Sequence, residues 1–215
     1  MRRTRILLAD DHTMIAAGLQ KLLEPAYEVV GCVEDGRALL KAAARLKPDL
    51  VLLDVGMPLL NGLDAARLIL KEFPQTEILI LTMHESEELM REVLQAGAKG
   101  YVLKSDVGKD LVAAVAALSQ HKPYFTTTVA EMVLDGYRQH VLPNQHAKEL
   151  PALSARERQV TQLLAEGKCN KEVAAMLFIG VKTVETHRAN IMRKLNIHSV
   201  SDLVRYAIRN RIVTA

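Results

Sequence analysis

The first half of the sequence alternates short apolar runs with longer amphipathic stretches, and few folds accommodate that order. Five runs have the length of a strand, namely RILLAD, EVVGCV, DLVLLD, EILILT and GYVLK. Helical spacing of apolar residues predicts helices over residues 13–24, 36–46, 62–72, 86–96 and 107–119. Because the runs are apolar almost throughout, we expect strands covered on both faces. The alternation predicts an α/β domain over residues 1–120, with a five-stranded, doubly wound parallel sheet.

The pattern changes after residue 120. Residues 121–149 gain proline, asparagine, glutamine and histidine, which favours a linker with one helix at about residues 127–138. From residue 150 to residue 215 only helical spacing is found. Helices joined by a tight turn at Gly180 predict a small all-α domain of the helix-turn-helix type.

Capping signals place the ends of these helices. Ser154 followed by Glu157 has the pattern of a capping box, and Gly167 is suited to end that helix. We expect Asn170 to cap the second helix, and a last helix to occupy about residues 199–210.

Charge is distributed unevenly along the chain. Residues 1–122 hold 15 basic and 17 acidic residues, whereas residues 150–215 hold 11 basic and 5 acidic residues. The second region is therefore the part suited to a polyanion.

Several features favour a soluble protein of the cytoplasm with no membrane partner. No window approaches the roughly 20 apolar residues of a membrane span. MRRTRILLAD resembles a secretion signal only superficially, since charge returns at Asp10 and Asp11. Cys32 and Cys169 are far apart in sequence, and we expect buried free thiols.

Polar residues follow four of the five predicted strands. Strand 1 ends in Asp10 and Asp11, strand 3 in Asp54, strand 4 in Thr82 and strand 5 in Lys104. Because ligands bind at the carboxyl ends of parallel strands, we expect these side chains to share one rim.

Three carboxylates at one rim repel each other, so the site should require a divalent cation. Carboxylate oxygens suit Mg²⁺, which also binds phosphate oxygens. We therefore expect a phosphoryl-accepting site with Asp54 as nucleophile. The cation and Lys104 would neutralise charge on the phosphoryl oxygens, and Thr82 would donate a hydrogen bond to one of them.

The pieces ADD, LLDVGMPLLNGLD, ILTMH and GYVLKS together resemble the receiver domain of bacterial two-component response regulators. The resemblance implies that Asp54 takes a phosphoryl group from a sensor histidine kinase. It implies that Asp11, Asp54 and the carbonyl of Gly56 ligate Mg²⁺, with Asp10 acting chiefly through water. It also implies that Pro58 and Gly62 shape the loop after Asp54, and that Thr82 and Tyr101 form a switch pair.

An aspartate-based phosphatase is the alternative interpretation of this site. Such enzymes need a second acid two residues after the nucleophile, where this chain has Gly56. We therefore expect no turnover enzyme, and a covalent phosphate that persists.

The third helix of the tail, residues 181–195, separates into two faces. Val184, His187, Ile191 and Leu195 are predicted to pack inward, and Lys182, Glu185, Thr186, Ala189, Asn190 and Arg193 to face outward. If this helix enters a major groove, we expect Lys182, Arg188 and Arg193 to contact mainly phosphates. Thr186, Ala189 and Asn190 would then lie nearer the bases.

The tail resembles the LuxR-type helix-turn-helix of the NarL/FixJ group, through LSARERQVTQLLAEGKCNKEVAAML and VKTVETHRANIMRKLNIHS. The resemblance implies binding to double-stranded DNA, with Thr183 and His187 added to the contacting residues above. We expect His187 to pack or to contact phosphate and not to ligate a metal, because no Cys or His partner lies at ligand spacing. It implies that Glu157 is structural. Two positions depart from the commonest pattern, because Gly180 replaces a frequent Ser and Glu185 a frequent Lys.

The last helix has two possible uses. Leu203, Val204, Ala207 and Ile208 could cover the domain's own core, or could pair two copies into a homodimer, as the resemblance implies for DNA-bound or phosphorylated protein. The whole chain thus predicts a phosphorylation-controlled transcription regulator. A receiver that binds proteins, with a tail that no longer contacts DNA, is the remaining alternative.

Overall fold

The computed structural model of the protein describes residues 2–83, 86–126 and 153–213. The chain divides into two compact units, an amino-terminal α/β unit and a carboxy-terminal helical unit. The helix predicted at about residues 127–138 lies outside the described residues, as does most of the predicted linker.

Strands and helices alternate through the amino-terminal unit in the predicted order. The strands are β1 (Arg5–Ala9), β2 (Glu28–Val33), β3 (Leu50–Asp54), β4 (Glu77–Thr82), β5 (Gly100–Leu103) and β6 (Tyr124–Phe125). The helices are α1 (Thr13–Leu23), α2 (Gly36–Leu46), α3 (Gly62–Glu72), α4 (Glu87–Ala96) and α5 (Val107–Leu118). The strands pair in parallel in the order β2-β1-β3-β4-β5-β6. The predicted parallel α/β fold is confirmed.

Helices cover both faces of this sheet. On one face, Ile6, Leu52 and Leu81 form a core with residues of α1 and α5. The alternate strand residues, such as Val51 and Ile80, are fully buried on the opposite face, because successive side chains of a strand point to opposite sides. Burial on both faces explains why the strands read as unbroken apolar runs.

The sheet has one strand more than the five that were predicted. In β6, Tyr124 and Phe125 pair with Gly100 and Tyr101 of β5. The Tyr124 hydroxyl donates to Asp110 Oδ1 on α5 at 3.0 Å and fixes the strand at the sheet edge. Two residues are too few to show a periodic pattern, so no strand was predicted there.

The described residues of the carboxy-terminal unit form four helices, α6 (Ala155–Ala165), α7 (Asn170–Leu177), α8 (Val181–Leu195) and α9 (Val200–Arg209). Their apolar residues, including Val160, Val173, Val184 and Ile191, form one core. The predicted all-α domain is confirmed. No helix among the described residues is long and apolar enough to cross a membrane.

Two of the capping signals are found as predicted, and one prediction is wrong. Ser154 and Glu157 form the capping box of α6, and Gly167 follows that helix with φ of +83°. The cap of α7 is Cys169, not Asn170, which is the first helical residue. The Cys169 backbone N–H donates to Glu172 Oε2 at 2.7 Å, so the acid three residues on replaces a polar cap side chain.

The cysteines are free, as expected, but both are exposed instead of buried. Cys32 lies on β2 at the edge of the sheet, and Cys169 precedes α7 at the surface. Neither position offers a core in which to bury a thiol.

Candidate functional site

Two carboxylates and one ammonium group meet at the carboxyl ends of β1, β3 and β5. The Lys104 Nζ atom lies 2.7 Å from Asp10 Oδ2 and 3.0 Å from Asp54 Oδ2. The side chains of Lys104, Asp10 and Asp54 are 4%, 1% and 8% exposed. The structure therefore brings Asp10, Asp54 and Lys104 together in one buried cluster.

Asp11 and His12 form the more exposed side of this cluster. His12 Nδ1 lies 2.8 Å from Asp11 Oδ1 and 3.2 Å from Asp10 Oδ1, and the His12 backbone N–H donates to Asp10 Oδ1 at 2.9 Å. His12 did not figure in the sequence analysis. Its position directly after the two acids at the end of β1 was the signal that could have found it.

The loop after β3 depends on a residue without a side chain. The Gly62 backbone N–H donates to the Val55 carbonyl at 2.9 Å. A Cβ atom at Gly62 would collide with the carbonyl oxygen of Asp54. Gly62 therefore fixes the start of α3 against the backbone that carries the Asp54 carboxylate, and the partly exposed Gly56 lies in the same loop.

Burial and neighbouring charges act in opposite directions on this cluster. Burial raises the pKa of Asp54 above its ordinary value, and this outweighs the lowering by Lys104. Burial alone would lower the pKa of Lys104, but its bonds to Asp10 and Asp54 outweigh burial and raise that pKa. Lys104 is thus held in its charged form beside the carboxylates.

The donor set fits a hard divalent cation. Donor atoms of Asp10, Asp11, His12 and Asp54 all lie within 4.8 Å of one another. Three carboxylates and one ammonium leave two negative charges on the site, which one divalent cation balances. Oxygen donors crowded in this way suit Mg²⁺, which requires few protein ligands and keeps several waters.

Thr82 is the last residue of β4, and Tyr101 lies on β5 three residues before Lys104. Thr82 is 2% exposed and Tyr101 is 1% exposed. The Lys104 backbone N–H donates to the Thr82 carbonyl at 2.8 Å, which joins the ends of the two strands. Both residues are buried in this structure, and their role as a switch pair stays a prediction.

The carboxy-terminal unit presents a second candidate site on α8. Lys182, Thr183, Glu185, Thr186, Ala189 and Arg193 are exposed on its outer face, and His187, Arg188 and Asn190 are partly buried. Val184, Ile191 and Leu195 are buried in the core as expected, whereas His187 is only partly so. Arg193 donates to Asn190 Oδ1 at 3.0 Å, so these two candidate DNA contacts are already linked.

An ion pair holds α8 against the start of α6. Lys194 Nζ donates to Glu157 Oε2 at 2.7 Å, and the same oxygen accepts from the Ser154 backbone N–H at 2.8 Å. The Glu157 carboxylate is therefore structural, as the sequence analysis expected. The part played by Lys194 was missed, because helical spacing does not show which residue of another helix it meets.

The last helix packs on the domain core with one side and exposes apolar residues on the other, so its use in pairing two copies stays a prediction. Leu203 and Ala207 are 1% and 0% exposed and belong to the domain core. Val200 and Ile208 are 44% and 39% exposed, and Val204 is partly buried between them. The helix covers the core and retains an apolar strip on its outer side.

Comparison with known proteins assigns both units. Residues 6–116 match the response regulator receiver domain, and residues 151–207 match the bacterial regulatory proteins of the luxR family. The chain belongs to the response regulators of the NarL/FixJ group. It is therefore a DNA-binding response regulator that acts in transcription.

Relatives extend over nearly the whole chain. The chain is 35% identical over 214 residues to the oxygen regulatory protein NreC of Staphylococcus carnosus. This match covers 97% of this chain and 99% of that protein. It is 36% identical over 214 residues to the transcriptional regulatory protein LiaR of Bacillus subtilis, with the same coverage. RcsB from Salmonella enterica serovar Typhimurium, solved bound to a promoter with a phosphomimetic, is 28% identical. That similarity has a TM-score of 0.59 and covers 95% of this chain and 98% of the RcsB chain.

Proposed function

We propose that phosphorylation of Asp54 controls DNA binding by the carboxy-terminal unit. The observation that carries this proposal is the bridge from Lys104 to both Asp10 and Asp54, beside Asp11, at the carboxyl ends of the strands. A buried carboxylate paired with an ammonium group and open on one side to a cation suits nucleophilic attack on phosphorus.

The transfer step requires little chemistry from the protein. An Asp54 carboxylate oxygen attacks the phosphorus of a phosphohistidine in a sensor histidine kinase, or of a small acyl phosphate. The new P–O bond forms as the P–N bond to the donor imidazole breaks, and the imidazole keeps the electron pair and takes up a proton. With an acyl phosphate, the P–O bond to the acyl group breaks instead, and the carboxylate leaves with the electron pair. Lys104 and Thr82 then face the phosphoryl oxygens with a positive charge and a hydroxyl donor.

A magnesium ion fits the same cluster. Asp11, Asp54 and the Gly56 carbonyl would hold it directly, and Asp10 through water. The ion would supply positive charge opposite the phosphoryl oxygens. His12 contacts both acids of β1 and would have to give up or share them when the ion binds.

The phosphoryl group should persist on Asp54 once it is formed. Position 56 is glycine, so it offers no carboxyl group to act as a general acid for rapid hydrolysis. A long-lived acyl phosphate suits a signalling protein that is not a turnover enzyme. A regulator that takes its phosphate from a kinase and binds DNA would work in the cytoplasm.

The outer face of α8 is the proposed DNA-contacting surface. Lys182, Arg188 and Arg193 would meet phosphates, while Thr183, Thr186, Ala189 and Asn190 would lie toward base edges, with His187 at the boundary of core and groove. The apolar strip of Val200, Val204 and Ile208 would pair two copies on inverted half-sites. Affinity should then fall steeply with salt, because phosphate contacts release counterions.

The test compares the full-length protein with Asp54→Asn. Each is incubated with acetyl phosphate and Mg²⁺, and intact mass, dimer fraction and DNA retention are measured in the same sample. Glu72→Gln is the matched control, since it makes the same carboxylate-to-amide change at an exposed residue at the end of α3. We expect the parent and Glu72→Gln to gain one phosphoryl group and to bind DNA more tightly. Full donor-dependent DNA binding by Asp54→Asn would refute the proposal.

A further inference from the structure

One acidic side chain lies within the basic surface of α8. Glu185 is the sole acidic residue of this helix, and it is exposed on the same face as Lys182, Thr186 and Ala189. It also lines a cleft of about 520 Å³ together with Lys168, Lys171 and Arg188. A carboxylate is therefore surrounded by the cations that suit a nucleic acid backbone.

Glu185 is not used to stabilise the fold. Among the described residues, no hydrogen bond or ion pair involves its carboxylate, although Lys182 and Arg188 lie three residues before and after it on the helix. By contrast, Glu157 and Glu172 in the same unit are both consumed by helix caps. The Glu185 carboxylate is thus available to an external donor.

Near DNA such a group has an unfavourable effect unless it finds a donor. Phosphate charges within a Debye length of about 10 Å repel it. In the major groove, guanine presents the N7 and O6 acceptors and thymine the O4 acceptor, which also repel a carboxylate. Cytosine presents the N4 amine as a donor. Adenine offers its N6 amine beside the N7 acceptor, and is therefore the poorer match.

We propose that Glu185 selects cytosine at one position of each DNA half-site. This inference rests on the proposed function, in which α8 enters the major groove. Glu185 would accept a hydrogen bond from cytosine N4, and sites with guanine or thymine at that position would be rejected by acceptor–acceptor repulsion. Phosphate contacts from Lys168, Lys171 and Arg188 would hold the helix in place without favouring any base.

The experiment is selection of duplexes from a randomised pool by the full-length protein, with acetyl phosphate and Mg²⁺ present. Bound duplexes are sequenced for the parent, Glu185→Gln and Lys182→Gln. Glu185→Gln preserves shape but adds an amide donor, so guanine and thymine become acceptable. Lys182→Gln alters a charge on the same face and serves as the control. Circular dichroism checks that both variants are folded, as expected for exposed positions.

In the parent we expect cytosine to be preferred at one position per half-site, by on the order of 10-fold over guanine or thymine. Glu185→Gln should abolish that preference while leaving the other positions unchanged. Lys182→Gln should weaken binding to all sequences alike and keep the preference.

Two results would overturn the inference. The first is that Glu185→Gln strengthens binding to every sequence equally, which would show that the carboxylate acts only through its charge. The second is that the base preferences of the parent, for cytosine or for another base, are the same in Glu185→Gln. If the parent retains no duplex at all, the proposed function fails, and this inference fails with it.

Discussion

Replacing Lys194 by methionine tests how α8 is held in the carboxy-terminal unit. The substitution keeps an unbranched side chain but removes the ammonium group that donates to Glu157 Oε2. The Glu157 carboxylate, 6% exposed, would keep only its local hydrogen bonds to Ser154. A buried negative charge would then lack its partner.

The expected cost lies between two limits. Exposed ion pairs contribute about 0–1 kcal/mol, and breaking a fully buried pair costs about 3–5 kcal/mol. The Lys194 side chain is 35% exposed while that of Glu157 is buried, so this pair falls between them. We expect the free energy of unfolding of this unit to fall by about 2 kcal/mol, the value typical of a hydrogen bond to a charged group.

The loss should depend on pH in a definite direction. Burial on its own would raise the pKa of Glu157, but the hydrogen bonds from Lys194 and Ser154 outweigh it and lower that pKa. A carboxyl whose pKa is lowered by folding adds stability above its unfolded pKa of about 4.3, and that stability is lost as the pH falls through the folded value. The difference between parent and Lys194→Met should thus be full at neutral pH and should shrink below about pH 4.

The assay is amide hydrogen exchange of the full-length protein, followed by mass spectrometry of peptides from α6 and α8 at neutral pH and at about pH 3. Arg193→Met is the matched control, because Arg193 is exposed one residue earlier and should change the opening free energy by less than about 0.5 kcal/mol. A difference between parent and Lys194→Met that is the same at both pH values would refute the reasoning. Lys194 would then act through the packing of its methylene groups.

Two further substitutions test the packing of each unit. Gly62→Ala should destabilise the amino-terminal unit by about 1–3 kcal/mol and slow phosphorylation, since the added Cβ collides with the Asp54 carbonyl. Gly18→Ala in α1 should instead stabilise this unit by about 0.5–1 kcal/mol, because its added Cβ meets nothing within 4 Å. Urea unfolding of the full-length protein, followed by peptide-resolved hydrogen exchange, measures the change in unfolding free energy for each variant. Equal changes for Gly62→Ala and Gly18→Ala would contradict the packing argument. Ile191→Ala, at a fully buried position, should cost the carboxy-terminal unit about 2–5 kcal/mol, and Ile191→Val about 0.5–1.5 kcal/mol; a similar loss for both would mean that the site collapses around the smaller side chain.

Features set by repeating patterns were predictable from the sequence. The apolar runs predicted five strands because both faces of the sheet are covered, and Asp10, Asp54 and Lys104 were placed at one rim because parallel strands end on the same side. Ser154 and Glu157 predicted a capping box because its two hydrogen bonds are local. In each case the deciding interaction lies within a few residues or follows from the topology.

Features that depend on contacts between residues far apart in the sequence, or on the direction of a side chain, were not predictable from the sequence. β6 forms because Tyr124 finds a hydrogen bond to Asp110 and an open edge at β5. His12 enters the acidic cluster by the direction of its ring, and Lys194 meets an acid 37 residues earlier in the chain. The predicted cap of α7 was wrong by one residue. Asparagine is the stronger cap by itself, but here the Glu172 side chain accepts a hydrogen bond from the Cys169 backbone and makes Cys169 the cap.

Lys104 also connects the Asp54 carboxylate to the strand that carries Tyr101. Its ammonium is shared between the ends of β1 and β3, while its own main chain continues β5, only three residues beyond Tyr101. We therefore expect a change of charge on Asp54 to alter both contacts of this one side chain. If Asp54 accepts a phosphoryl group, as proposed, its carboxylate is connected to Tyr101 by one salt bridge and three residues of main chain.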